Sequence, residues 1–209
     1  MRIGILGNGN MAGALGAHWV RAGHRVRVGG RSPERAAELA RQIGAESSGQ
    51  LNEIAGFGDA TLLAVPYGSA AEVVRETGGA LAGRVLIDCT NPVGPGFVLT
   101  TAEGPSGARR IADASGARVV KAFNLCADSV WRHTPVAFAD GPLAVPLCGD
   151  DEAALETVRA LVRDVGGAPL DAGGLDRAGL LEATTAFLIG LWVGGHDPRT
   201  MLPPTHAMA

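Results

Sequence analysis

The stretch GILGNGNMAGALG, residues 4–16, sets Gly7, Gly9 and Ala12 in the spacing G-x-G-x-x-A. That spacing suits one task, the holding of a pyrophosphate. Gly7 permits a tight turn, Gly9 lets a phosphate approach the backbone, and small Ala12 lets a helix pack closely on a strand. Asn8, Asn10 and Met11 share the turn, and the helix opening there offers free N–H groups and a positive dipole end. In a chain with 31 glycines the competing reading is a glycine-rich turn without a ligand. The strand-like run before the motif and the helical spacing after it supply the context that the motif requires.

About 20 residues beyond such a turn, an acid at the end of the second strand ordinarily holds the ribose diol of NAD. Positions 28–31 here are Val28, Gly29, Gly30 and Arg31. With no carboxylate to repel it, a 2′-phosphate can sit beside Gly30. Arg31 can meet it with a planar fork, Ser32 can donate its hydroxyl, and Arg35 can join from one helical turn on. The expected cofactor is therefore NADP(H). The competing reading is a solvated arginine and a helix-capping serine. Lys121 is the sole lysine among 18 basic residues, so arginine is abundant for reasons unrelated to this site.

Three further turns follow apolar runs. AVPYGSA offers Val65, Pro66 and Tyr67 to the nicotinamide or its ribose; DCTNPVG offers Thr90, Asn91 and Pro92; KAFNL offers Lys121, Ala122, Phe123 and Asn124. No catalytic residue is assigned. The five histidines show no metal spacing, and no metal site is expected. Asp128 with His133 is a weak candidate acid–base pair, and Cys89 and Cys126 read as small buried thiols before nucleophiles. Hydride exchange between two ring cofactors needs apposed rings and exclusion of water, so it fits a cleft without a triad.

These turns must be carried by a regular scaffold. Strands are expected at 1–7, 24–30, 59–66, 83–92 and 117–124, with helices at 11–23, 32–44 and 68–83 between them. Such alternation implies a parallel sheet with right-handed crossovers. Further on, 142–149 and 168–173 read as strands, 151–164 and 174–194 as helices, and 94–110 as a loop over the sheet edge; a polar, proline-rich tail closes the chain. The expected division is a dinucleotide-binding domain at 1–125 and a small C-terminal α/β domain at 126–209.

Composition narrows the class. Hydrophobic residues make up 46% and charged residues 19%, enough for a core and against wholesale disorder. A net charge of −3 argues against a nucleic-acid surface. Three widely spaced cysteines fit neither a disulfide framework nor a zinc site and point to a reducing cytoplasm. No signal peptide is expected, and AFLIGLWVGG (186–195) is too short to span a membrane.

GILGNGNMAGALG, GGRS, CTNP, VVKAFN, PLCGDDEAA and PLDAGGLDRAGLLE occur in an order that resembles the NADPH-dependent reductases of the deazaflavin coenzyme F420. The resemblance runs to about residue 185. A related reductase domain occurs in membrane-anchored metalloreductases that pass electrons from NADPH to a flavin. The resemblance implies a Rossmann-type doubly wound sheet that binds NADP(H), a small C-terminal domain completing an acceptor cleft, and a homodimer. It implies that Gly7, Gly9, Asn10 and Met11 hold the pyrophosphate and that Arg31 and Ser32 hold the 2′-phosphate. Val65 and Pro66 would flank the nicotinamide half, Asn91 and Pro92 would follow the next strand, and Asn124 would face the deazaflavin. Gly30 stands where members often carry serine, Leu125 replaces a common threonine, and the tail differs from the apolar ending of the family. Two alternatives stay open: an NADPH-dependent reductase of a flavin, imine or carbonyl, and an NADP(H)-sensing protein without turnover.

Overall fold

A computed structural model describes residues 1–101, 103–138 and 141–201. Apolar runs form the sheet centre. β1 (Arg2–Leu6), β4 (Ala60–Leu63) and β5 (Val85–Asp88) are buried almost throughout, as strands covered on both faces must be. β2 (Arg25–Gly29), β3 (Ser47–Gly49) and β6 (Arg118–Lys121) complete a parallel set in the order β3-β2-β1-β4-β5-β6. Chain order reverses between β1 and its neighbours β2 and β4, and this is where a doubly wound sheet opens a crevice.

α1 (Asn10–Arg21) and α2 (Pro33–Ile43) cover one face; α3 (Leu51–Phe57), α4 (Tyr67–Glu76) and α5 (Gly107–Ser115) cover the other. α2 shows why the sequence stops and starts where it does. The Ser32 hydroxyl accepts the Arg35 N–H at 3.3 Å, Pro33 takes the first helical position, and Gly44 leaves in the left-handed conformation at φ 73°.

After β6 the chain makes a single turn of 3₁₀-helix at Val130–Arg132 and a short hairpin of β7 (Ala137–Phe138) and β8 (Gly141–Pro142). β9 (Ala144–Gly149) then pairs antiparallel with β6, and α6 (Glu152–Asp164) leads to β10 (Ala168–Asp171), parallel to β9. One eight-stranded sheet therefore runs across the expected 125/126 division. Trp19 of α1 donates its indole N–H to the Leu161 carbonyl of α6 at 3.1 Å, which ties the two parts together beneath the sheet.

Several expected boundaries move. Residues 94–110 are not loop throughout, because α5 begins at Gly107 with Ser106 capping the Arg109 N–H. The helix expected at 68–83 ends at Glu76, and Gly78 and Gly79 then turn at positive φ. β3 and α3 were not expected. The late helix divides into a 3₁₀ turn at Leu175–Arg177 and α7 (Ala178–Val193). Among the described residues no helix is long and apolar enough to cross a membrane. The closing tail lies outside the described residues from position 202 on.

Candidate functional site

A cleft of about 310 Å³ opens at the carboxyl ends of β1, β2 and β4. It brings together nine of the expected binding residues: Gly7, Asn8, Gly9, Gly30, Arg31, Ser32, Arg35, Val65 and Pro66. Leu51, Ala64 and Val73 line it as well and were not anticipated. Leu51 and Val73 lie on α3 and α4, where an apolar residue in a helix is ordinarily read as core.

The glycine turn has the geometry its spacing requires. Gly7 sits at φ 129°, and a Cβ there would lie 2.1 Å from the Ala64 carbonyl oxygen. Its N–H donates to the Gly29 carbonyl at 2.7 Å, bringing the first and second turns side by side. Asn8 reinforces the junction by donating to the Ser32 carbonyl at 3.4 Å, and a Cβ on Gly30 would come within 2.7 Å of the same Asn8 nitrogen. Gly9 heads α1 with no side-chain cap and no acid in the first turn, and a Cβ there would meet nothing within 4 Å. Backbone donors, a dipole end and open space thus coincide at this turn, the combination that pyrophosphate binding calls for.

In the second turn a cation and a hydroxyl are already engaged by carboxylates. The Arg31 guanidinium lies 3.6 Å from Glu72 of α4, with both side chains about half exposed. The Ser32 hydroxyl donates to Glu34 at 2.9 Å, and a bond from Glu34's own backbone N–H, with that hydroxyl second, holds the Glu34 carboxyl below its ordinary range. Neither carboxylate stands where an NAD-type acid would stand, at the end of β2.

The remaining candidates lie elsewhere. Asn10 faces a groove between α1 and α2, shared with Asn8, Gly9 and Arg35, and Met11 packs on the core. Tyr67 opens α4 and borders a smaller groove with Arg110. Asn91 and Asn124 form a reciprocal pair: the Asn91 amide donates to the Asn124 carbonyl at 2.8 Å, and the Asn124 amide donates to Asn91 Oδ1 at 3.0 Å. Asn124 also donates to Thr185 of α7 at 3.0 Å and is buried. Ala122 is enclosed, and Pro92 packs towards Gly107. Phe123, between Ala122 and Asn124 in the chain, holds a left-handed φ of 62° with its ring edge-on to Trp19 and Trp131. Strain of this kind is tolerated where the surroundings fix the turn.

Other reactive candidates are occupied. Burial, with the Asp88 charge beside it, pushes the Cys89 thiol up to about 12, and burial raises Cys126. Asp128 pairs with Arg132 at 3.1 Å, and the His133 ring packs against Phe138. A buried cluster of Asp88, Lys121 and Glu182 was missed. Its signal was a lone glutamate inside the apolar run that became α7.

Residues 2–92 match the model of a family described as NADP oxidoreductase, coenzyme F420-dependent. Over 91% of the chain the sequence is 32% identical to metalloreductase STEAP3 of Rattus norvegicus, of whose length it spans only 38%. It is 27% identical to the F420-dependent NADP reductase of Methanocaldococcus jannaschii, covering 91% of this chain and 92% of that one. A crystal structure of a putative F420-dependent NADP reductase from Arthrobacter sp. FB24 superposes with a TM-score of 0.83 at 23% identity, over 93% of this chain and 95% of the other, and shares the fold.

Proposed function

We propose that this chain, whose residues 2–92 match the coenzyme F420-dependent NADP oxidoreductase family, is an NADP-dependent oxidoreductase that passes a hydride between NADP(H) and the deazaflavin F420. One observation carries the NADP(H) half. The Gly30–Arg31–Ser32 turn and the Gly7–Gly9 turn face one cleft, and β2 ends without an acid. In this reading α1 holds the pyrophosphate, Arg31, Ser32 and Arg35 hold the 2′-phosphate, and Val65 and Pro66 border the nicotinamide half.

The two rings supply the hydride chemistry when bound. The chain binds, orients and keeps water out. No free proton donor is required, in keeping with a Lys121 fully engaged by buried acceptors. Asn124, fixed by Asn91 and Thr185, frames the acceptor end, and residues 126–209 complete the acceptor cleft. A second copy of the chain covers the outward face of α7, where Leu180 and Phe187 stand exposed two turns apart. The partners are small molecules, and free Cys89, Cys126 and Cys148 accord with a cytoplasmic setting.

Rapid mixing of the NADPH-loaded protein with oxidised F420 tests the reading. Bleaching of the deazaflavin absorbance with matching loss of NADPH is expected. No bleaching at saturating F420, with turnover of FMN or FAD instead, would replace the acceptor. Tight NADPH binding without turnover of any of them would leave a sensor.

A further inference from the structure

The charge cluster behind the strand ends takes no part in the binding scheme above. Lys121 donates to Asp88 at 2.9 Å and to the Thr90 carbonyl, and its Nζ lies 3.0 Å from Glu182 Oε1; all three ionic side chains are wholly enclosed. Burial opposes the ammonium charge, but Asp88 and Glu182 outweigh it and hold the Lys121 pKa above its ordinary value. Three N–H bonds thus meet three acceptors, so the lysine has neither a proton nor a lone pair to offer a substrate. A buried ion cluster is weak support for stability in itself, since apolar packing often does as well. What it fixes is geometry.

Glu182 reaches inward from α7. Its carboxylate accepts the Gly107 N–H at 2.9 Å and the Ala108 N–H at 3.0 Å, the first two residues of α5. Gly107 has no room for a side chain: a Cβ would lie 2.7 Å from the Tyr67 ring, 3.1 Å from Glu182 and 3.4 Å from Pro92. Lys121 at the end of β6 and the start of α5 thus meet one carboxylate of the C-terminal helix, while Tyr67 after β4 and Pro92 after β5 border Gly107 beside it. Those turns lie on the side of the switch point opposite β2, which is the side that receives the nicotinamide when β2 receives the adenosine.

We propose that Glu182 is a positioning residue for the nicotinamide half of the cleft, locking these three turns together through Lys121 and the start of α5. The proposal rests on the NADP(H) reading given above. It calls for a test that separates the two halves of the nucleotide.

Calorimetric titration with NADPH and with 2′,5′-ADP, which carries only the adenosine half, provides that separation. Glu182→Gln keeps the side-chain size and leaves Lys121 paired with Asp88. Its affinity for 2′,5′-ADP should match wild type, while its preference for NADPH over 2′,5′-ADP falls about fivefold or more. The fluorescence of bound NADPH should shift towards that of the free nucleotide. Gly107→Ala, which keeps every charge but crowds the same turns, should reproduce the pattern, and it decides the matter if the glutamine variant fails to fold. An unchanged preference, or equal loss of both affinities, overturns the proposal. A wild-type protein that binds neither nucleotide removes the NADP(H) reading instead.

Discussion

Arg31, which lines the cleft, lies 3.6 Å from Glu72 of α4, and both side chains are about half exposed. The guanidinium expected to hold a 2′-phosphate is therefore already paired, and a phosphate must displace the carboxylate. Glu72→Gln should tighten NADPH binding roughly two- to fivefold and leave NADH nearly unaffected, the scale of an exposed ion pair. The gain should shrink in high salt, where exposed charges are screened. Titration of both nucleotides at low and high ionic strength checks it.

Gly7 and Gly9 separate folding from binding. At Gly7 an alanine would meet the Ala64 carbonyl in a backbone conformation that disfavours side chains. Gly7→Ala should lose on the order of 1–3 kcal/mol in urea unfolding. At Gly9 the added methyl meets no protein atom. Gly9→Ala should lose only the roughly 1 kcal/mol of a poorer helix cap, less than Gly7→Ala, and about tenfold or more in NADPH affinity, because the methyl occupies ligand space.

His18 sets an acid limit on stability. It is buried in α1 with Nε2 2.7 Å from the Trp131 carbonyl, and burial lowers its pKa from the ordinary 6.5. The unfolded chain then binds the proton more readily than the folded one. Stability is full above about pH 6.5 and declines as pH falls towards the depressed folded value. Urea midpoints should drop as pH falls below about 6.5, and His18→Gln should flatten that decline. An identical slope in the variant would remove His18 as its source.

The outward face of α7 carries Leu180 and Phe187, each 57% exposed. If a second copy covers this face, Phe187→Glu should convert a dimer to a monomer in sedimentation velocity without altering the circular dichroism. A wild-type monomer at tens of micromolar would contradict the homodimer.

The parts of the fold that were legible in the sequence are those in which local signals agree. β1, β4 and β5 are short apolar runs stopped by glycine or proline, and α2 carries a serine cap, an N1 proline and a C-terminal glycine. β3 was not legible because Ser47, Ser48 and Gly49 carry no apolar pattern and pair only because β2 lies alongside. α3 is two turns long and rests on a capping box of Gln50 and Glu53. α5 was hidden by the glycine, proline and serine before it, and Glu182 of α7 satisfies its first N–H groups from 75 residues away.

The site divides in the same way. The meeting of Gly7, Gly9 and Arg31 at one cleft was readable because each stands at a fixed spacing from a strand end. Glu182 was not, because its partners Lys121, Gly107 and Ala108 meet it only after the sheet and α7 have assembled. Asn91 and Asn124 were singled out separately as turn residues. Their reciprocal pairing depends on the adjacency of β5 and β6.

The central claim is that a guanidinium at the end of the second strand selects the phosphorylated nucleotide. Calorimetric affinities of wild-type and Arg31→Ala protein for NADPH and NADH measure it directly. Wild type should favour NADPH strongly, and Arg31→Ala should weaken NADPH by about 1.5–3 kcal/mol while barely changing NADH. Equal affinity of the wild-type protein for the two nucleotides, or equal losses in the variant, would contradict the account.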